Sequence, residues 1–263
     1  MRTIPPSSSG RSRGKCSWSF ARTACVLADR AFQDDGMELE IHPLRPLVAQ
    51  LKNAVGPPKN KKHEMLQLAF PTTTSWKVEG EYFEFGVFRG RAMIHTYRMA
   101  RRCGRPTRFF AFDSFEGLPA SAETGEKLQE RQYACSQEQF LDNLKRAGVD
   151  ISTVHCVKGV FDQSLTPRLQ RDLAPSKSAI VWVDCDLYES TVPVLDFIVP
   201  FLQTGSIICF DDWFGFGGHP LKGEIRATNE WLARNPLIRL THYRDFGVSG
   251  RSFVVHVSET APS

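Results

Sequence analysis

Five aspartates at the ends of apolar runs are the residues of this 263-residue chain best placed to do chemistry. Asp184 and Asp186 follow the run at 180–183, which is β-branched and aromatic and holds no turn residue. Asp211 and Asp212 follow the run at 206–210, and Asp113 follows the run at 108–112. Carboxylates gathered at neighbouring strand tips supply the hard oxygen ligands that a divalent cation prefers. Asp184, Asp211 and Asp212 therefore read as a metal or polar-ligand set. Asp186 either joins that set or caps the helix that follows. An acid at the end of a second strand can accept hydrogen bonds from both hydroxyls of a ribose, which is the role expected of Asp113. All five could also be solvated strand ends, so the elements that carry them matter.

Those elements alternate. A strand at 82–86 runs into a glycine turn, Gly86-x-x-x-Gly90, and then a helix at 92–102. The glycines let backbone approach a ligand, and the helix start offers free N–H groups. The turn lacks the third glycine of a dinucleotide fingerprint, which favours a ligand without a pyrophosphate. The strand at 108–112 follows, then a polar, acidic loop at 120–130 expected to be mobile beside the site. Ser136 and Gln139 read as a capping box for a helix at 136–147, with Gly148 as its stop. A strand at 153–158 precedes Gly159 and Phe161, and Phe161 is placed either to flank an adenine or to pack in the core. A short helix at 165–173 leads to the strand bearing Asp184. A helix at 192–202 then carries Pro193 in its first turn. After Asp212 comes an aromatic, glycine-rich loop, then a helix at 222–234 and two strands at 237–243 and 252–257 that close the sheet as an antiparallel pair. The whole predicts an α/β Rossmann-like sheet, mostly parallel, with helices on both faces.

Residues 1–36 read as a flexible leader with six basic side chains against three acidic ones. Residues 37–78 read as an N-terminal helical cap, including a helix at 44–55 that either closes the site or forms a dimer contact. Residues 79–258 form the catalytic domain and 259–263 a tail. The rest of the chain is close to neutral, which excludes a nucleic-acid-binding face. No apolar run is long enough to span a membrane. The seven cysteines are scattered and lack any C-x-x-C pair, which argues for a reducing, cytoplasmic setting without disulfides or zinc.

The segments E-F-G-V-F-R-G, F-D-S-F-E-G-L-P, V-K-G-V-F-D-Q-S-L, V-D-C-D-L-Y-E-S-T and F-D-D-W, in this order over about 80–231, resemble the macrocin O-methyltransferase (TylF-type) family. Those are S-adenosylmethionine-dependent enzymes of class I Rossmann-like fold. The resemblance implies that Glu84, Gly86 and Gly90 surround the methionine part of the cofactor. Asp113, with Ser114 beside it, holds the ribose, and Gly159 and Phe161 lie near the adenine. Asp184, Asp211 and Asp212 correspond to magnesium ligands. The acceptor implied is a hydroxyl on a sugar or glycosylated natural product.

Methyl transfer to a hydroxyl needs that hydroxyl to lose its proton. A metal at Asp184 would lower its pKa, and a general base would take the proton. His219 in G-G-H-P is the first candidate base, with Lys222 and His242 behind it. Two other functions fit the same fold: a nicotinamide-dependent oxidoreductase, and a methyltransferase-like binding protein without turnover.

Overall fold

Short runs of large apolar residues with no polar alternation can only be buried on both faces, and they form the centre of a parallel sheet. In the computed structural model, which describes residues 61–121 and 129–259, the parallel strands are β1 (Glu81–Phe85), β2 (Phe109–Asp113), β3 (Val154–Lys158, at the edge), β4 (Ser178–Val183) and β5 (Ile207–Phe210). All six residues of β4 and all four of β5 are buried. Two longer strands, β6 (Ile238–Phe246) and β7 (Gly250–Val257), pair antiparallel. The sheet order is β3-β2-β1-β4-β5-β7-β6. The first five strands are parallel, and β7 lies antiparallel between β5 and β6. This bears out the expected mixed sheet.

The helices are α1 (Lys61–Ser75), α2 (Arg91–Arg102), α3 (Gln137–Arg146), α4 (Phe161–Ser164), α5 (Pro167–Leu173), α6 (Tyr188–Ile198) and α7 (Gly223–Arg234). Helices α1, α2 and α3 share a core with Tyr82, Ala111, Ile180 and Cys209 on one face. Helices α6 and α7 share the other core with Phe83, Phe112, Val181 and Phe210. Alternate strand residues point to opposite faces, so each strand feeds both layers. The capping box at Ser136 and Gln139 forms as expected, and Gly148 follows the helix at φ +79°.

The helix after β4 departs from the expected 192–202. It begins at Tyr188, so Pro193 sits inside it rather than in its first turn. Leu187 starts the bonding, its carbonyl accepting both Thr191 N–H (3.0 Å) and Thr191 Oγ1 (2.8 Å). Phe161 and its neighbours form a short helix directly after the β3 turn, ahead of the expected helix at 165–173.

The leader at 1–36, the helix at 44–55 and residues 122–128 of the polar loop lie outside the described residues. No helix among the described residues is long and apolar enough to cross a membrane. Five cysteines among them are unbridged.

Candidate active site

The order in which strands are added reverses between β1 and β4, which are parallel neighbours in the sheet but not in sequence. A crevice opens at the carboxyl ends of such strands, where ligands of this fold class bind. Here the two strands approach closely. A Cβ on Gly86 would lie 1.9 Å from the Asp184 carbonyl oxygen, and Gly86 has φ +84°. Only glycine fits there. The Gly86 N–H donates to Phe112 O and the Asp184 N–H to Phe85 O, each at 2.9 Å. Gly90, at φ +80°, begins α2 hard against Phe140 and Leu144 of α3.

Asp113 holds the walls of this crevice together. Its Oδ2 accepts the N–H of Val87 (2.7 Å) and of Phe88 (3.1 Å). Its Oδ1 accepts the N–H of Phe115 at 2.7 Å. A carboxylate has about four lone-pair sites, so three donors leave room for about one more. The glycine loop and the loop after β2 therefore take their shape from Asp113. Ser114 is committed to the following turn, donating to Gly117 O (2.9 Å) and accepting from Glu116 N–H (3.1 Å). Gly159 donates its N–H to Asp113 O (2.9 Å), and Phe161 is half-buried and edge-on to Phe85 at 5.9 Å. Glu84 lies in β1 rather than in the loop, and it is buried. Its Oε2 accepts the Tyr82 hydroxyl at 2.8 Å. Burial raises its carboxyl well above the usual range, Tyr82 opposes that, and Asp184, Asp113 and Asp211 add to it.

Across the crevice, Asp184, Asp186 and Asp212 are half-buried, and one carboxylate oxygen from each lies within 4.8 Å of the others. Ligand oxygens of an octahedral Mg²⁺ stand about 3–4 Å apart, given bonds of about 2.0–2.1 Å. The side chains present fit a small hard cation after slight closure.

The grouping shares Asp184 and Asp212 with the expected set and holds Asp186 where that set has Asp211. Asp211 still belongs to the sheet ladder, donating its N–H to Val183 O (2.9 Å), and its side chain is buried. Asp211 and Asp212 follow the end of β5, and only Asp212 of the two is half-buried rather than buried. Asp186 takes the third place, its backbone in the left-handed region at φ +58°.

A residue that sequence reasoning passed over sits against this group. Glu224, in the first turn of α7, is buried, and its Oε2 accepts the Asp212 N–H at 3.1 Å. Burial raises its carboxyl well above the ordinary range, and Asp212, Asp211, Asp184 and Asp186 push it further. The surrounding backbone is tied as well. Asp212 O accepts Gly215 N–H (2.8 Å), Asp211 O accepts the Ser249 hydroxyl (2.8 Å), and Ser249 O accepts Phe214 N–H (2.8 Å). Arg251 lies over the Phe214 ring at 4.7 Å and pairs with Asp245.

His219 is exposed, outside the carboxylate group, and its Nδ1 accepts Leu221 N–H at 3.2 Å. A neutral imidazole bonded that way carries its proton on Nε2 and has no lone pair to spare. Lys222 is exposed at the start of α7, and His242 is exposed on β6 and bonded to Asp245 (2.9 Å).

Comparison with known proteins gives a family and a fold. The sequence model of the family described as Macrocin-O-methyltransferase (TylF) matches residues 56–229. A Streptomyces olivaceus protein, 8-demethyl-8-(2,3-dimethoxy-alpha-L-rhamnosyl)-tetracenomycin-C 4'-O-methyltransferase, is 30% identical over 163 residues. That match covers 58% of this chain and 60% of the relative. The fold resembles the O-methyltransferase NovP with a TM-score of 0.61 at 24% identity, over 74% of this chain and 79% of that one. It resembles the calicheamicin methyltransferase CalS11 with a TM-score of 0.61 at 20% identity, over 94% of this chain and 99% of that one.

Proposed function

The chain belongs to the macrocin-O-methyltransferase (TylF) family, and on that premise we propose that it is a magnesium-assisted, S-adenosylmethionine-dependent O-methyltransferase. Its acceptor in this reading is a hydroxyl on a sugar of a glycosylated natural product, the class of compound in the name of the Streptomyces olivaceus relative. The observation that carries the proposal is the trio of carboxylate oxygens within 4.8 Å, at the strand tips beside the Gly86 turn.

When bound, the donor supplies an activated methyl group and the cation a charge that favours a deprotonated acceptor hydroxyl. The chain's own residues bind and orient. Gly86 and Gly90 let the loop after β1 pack close against Asp184 and α3, and in this reading that loop borders the methionine part of the donor beside buried Glu84. Asp113 shapes that loop and offers its remaining lone pair to the ribose, with Ser114 holding the adjoining turn. Gly159 and the half-buried Phe161 border the adenine. Asp184 and Asp212 are common to the set implied by the family resemblance and the set gathered here, and they hold the cation. Asp186, half-buried beside them, is placed to accept the acceptor's proton. Asp211, the third ligand implied by the family resemblance, has its side chain buried next to Asp212 in the chain. His219 would have to give up its bond to Leu221 before it could act as the base. Holding the hydroxyl in line with the methyl group supplies much of the remaining rate.

Residues 79–258 constitute the catalytic domain in this reading. The unbridged cysteines suit the cytoplasm. The test is release of S-adenosylhomocysteine from purified protein given S-adenosylmethionine, Mg²⁺ and a panel of glycosides, with and without a chelator. Turnover that stops on chelation and returns with Mg²⁺ is expected. Calorimetric binding of NADH in place of S-adenosylmethionine would overturn the reading in favour of an oxidoreductase. Donor binding without turnover on any glycoside would favour a binding protein.

A further inference from the structure

The four backbone groups of Asp211 and Asp212 are all held, three of them by other backbone groups or a serine hydroxyl. The fourth, the Asp212 N–H, is held by the carboxyl of Glu224 at 3.1 Å. A buried acid is a costly acceptor for one amide, because it must be desolvated among other acids. Glu224 is only 1% exposed, and its Oε1 has no hydrogen-bond partner. Its surroundings from other elements are Asp184 and Asp186 after β4 and Asp211 and Asp212 after β5. Glu224 stands in the first turn of α7, where an acid suits the helix N-terminus, but the hydrogen bond its carboxyl makes among the described residues is to the Asp212 amide and not to a helix N–H.

From this geometry we propose that Glu224 is a positioning residue for the cation site. By fixing the Asp212 amide it sets the direction in which the Asp212 carboxylate leaves the backbone, toward Asp184 and Asp186. The inference rests on the magnesium reading given above. Residues that orient a metal's ligands alter metal affinity by about 10–100-fold when removed.

The test uses the full chain, Mg²⁺ alone as the probe, and isothermal titration calorimetry as the readout. Glu224→Leu removes the acceptor and keeps the bulk, and is expected to weaken Mg²⁺ binding at least about 10-fold. Its affinity for S-adenosylhomocysteine should stay within about threefold of the parent. Glu224→Gln keeps an oxygen for the Asp212 N–H and should bind Mg²⁺ within about threefold of the parent. If Glu224→Leu fails to fold, Glu224→Gln decides alone, and a loss of about 10-fold in it would overturn the proposal, because the carboxyl's charge or proton would then matter rather than the amide bond. A folded Glu224→Leu that binds Mg²⁺ like the parent also overturns the proposal while leaving the magnesium reading intact. A parent that takes up no Mg²⁺ overturns both.

Discussion

Replacing Gly86 with alanine tests the geometry that brings the donor loop and the carboxylates together. The residue sits at φ +84°, where a side chain costs about 1–2 kcal/mol. That term alone would be tolerable. The new Cβ would also meet the Asp184 carbonyl oxygen at 1.9 Å, and backbone cannot swing aside as a side chain can. Separating β1 from β4 there strains the Gly86 to Phe112 and Asp184 to Phe85 bonds, each 2.9 Å. Losing both adds about 2 kcal/mol at about 1 kcal/mol each. The expected total is about 3–4 kcal/mol, a large share of a typical stability of about 5–15 kcal/mol. Gly104→Ala is the control. It has φ +63° and nothing within 4 Å of where its Cβ would stand, so it should lose only the first term, about 1–2 kcal/mol. Urea midpoints and melting curves measure both, and Gly86→Ala should melt about 5 °C or more below Gly104→Ala. Equal losses in the two variants would refute the close approach of β1 and β4.

Three further outcomes follow from the bonding. Asp113→Ala frees three N–H donors at once and should cost about 2–4 kcal/mol together with donor affinity; Asp113→Asn should fare nearly as badly, because its amide nitrogen must face an N–H, and a calorimetric titration with S-adenosylhomocysteine that finds Asn equal to the parent would refute this. Glu84 binds its proton more tightly in the folded chain, so the stability it contributes is full below its ordinary value of 4.5 and is lost as pH rises through the raised one. Glu84→Gln should therefore flatten the decline of the urea midpoint above that pH, and an unchanged slope would count against a buried neutral carboxyl. Arg251 and then His242 hold Asp245 down at about 2, so its contribution is full above about 4 and fades as pH falls toward 2. Because Asp245 is half-exposed, Asp245→Asn should cost only about 0.2–1 kcal/mol at pH 7, and that loss should shrink in about 1 M salt.

What the sequence made legible was whatever local chemistry decides. Val181, Trp182 and Val183 admit no solvated face, so a central strand follows, and its tip must carry Asp184. Ser136 and Gln139 satisfy each other's backbone wherever the rest of the chain lies. Long-range placement was not legible. Glu224 stands in the polar string K-G-E-I-R-A, which reads as a solvated helix start, and only the packing of α7 under β5 turns it inward. Asp186 joins the carboxylates through a left-handed backbone that no residue-type signal announces. Adjacent Asp211 and Asp212 look equivalent as letters and differ in the structure through their partners, Val183 O for the first amide and the Glu224 carboxyl for the second. Pro193 points to a helix start at 192, later than the observed Tyr188, since a proline is tolerated near an N-terminus and this one sits deeper.

The last hairpin has a bearing on how the protein is made. Ser249, at the turn into β7, grips the stretch that bears Asp211 and Phe214, although it is the thirty-eighth residue beyond Asp211 in the chain. During synthesis the acidic stretch therefore emerges well before its clasp. A chain stopped short of the hairpin would hold every acid and Glu224 as well but lack the Ser249 clasp, so the stretch after β5 is completed late.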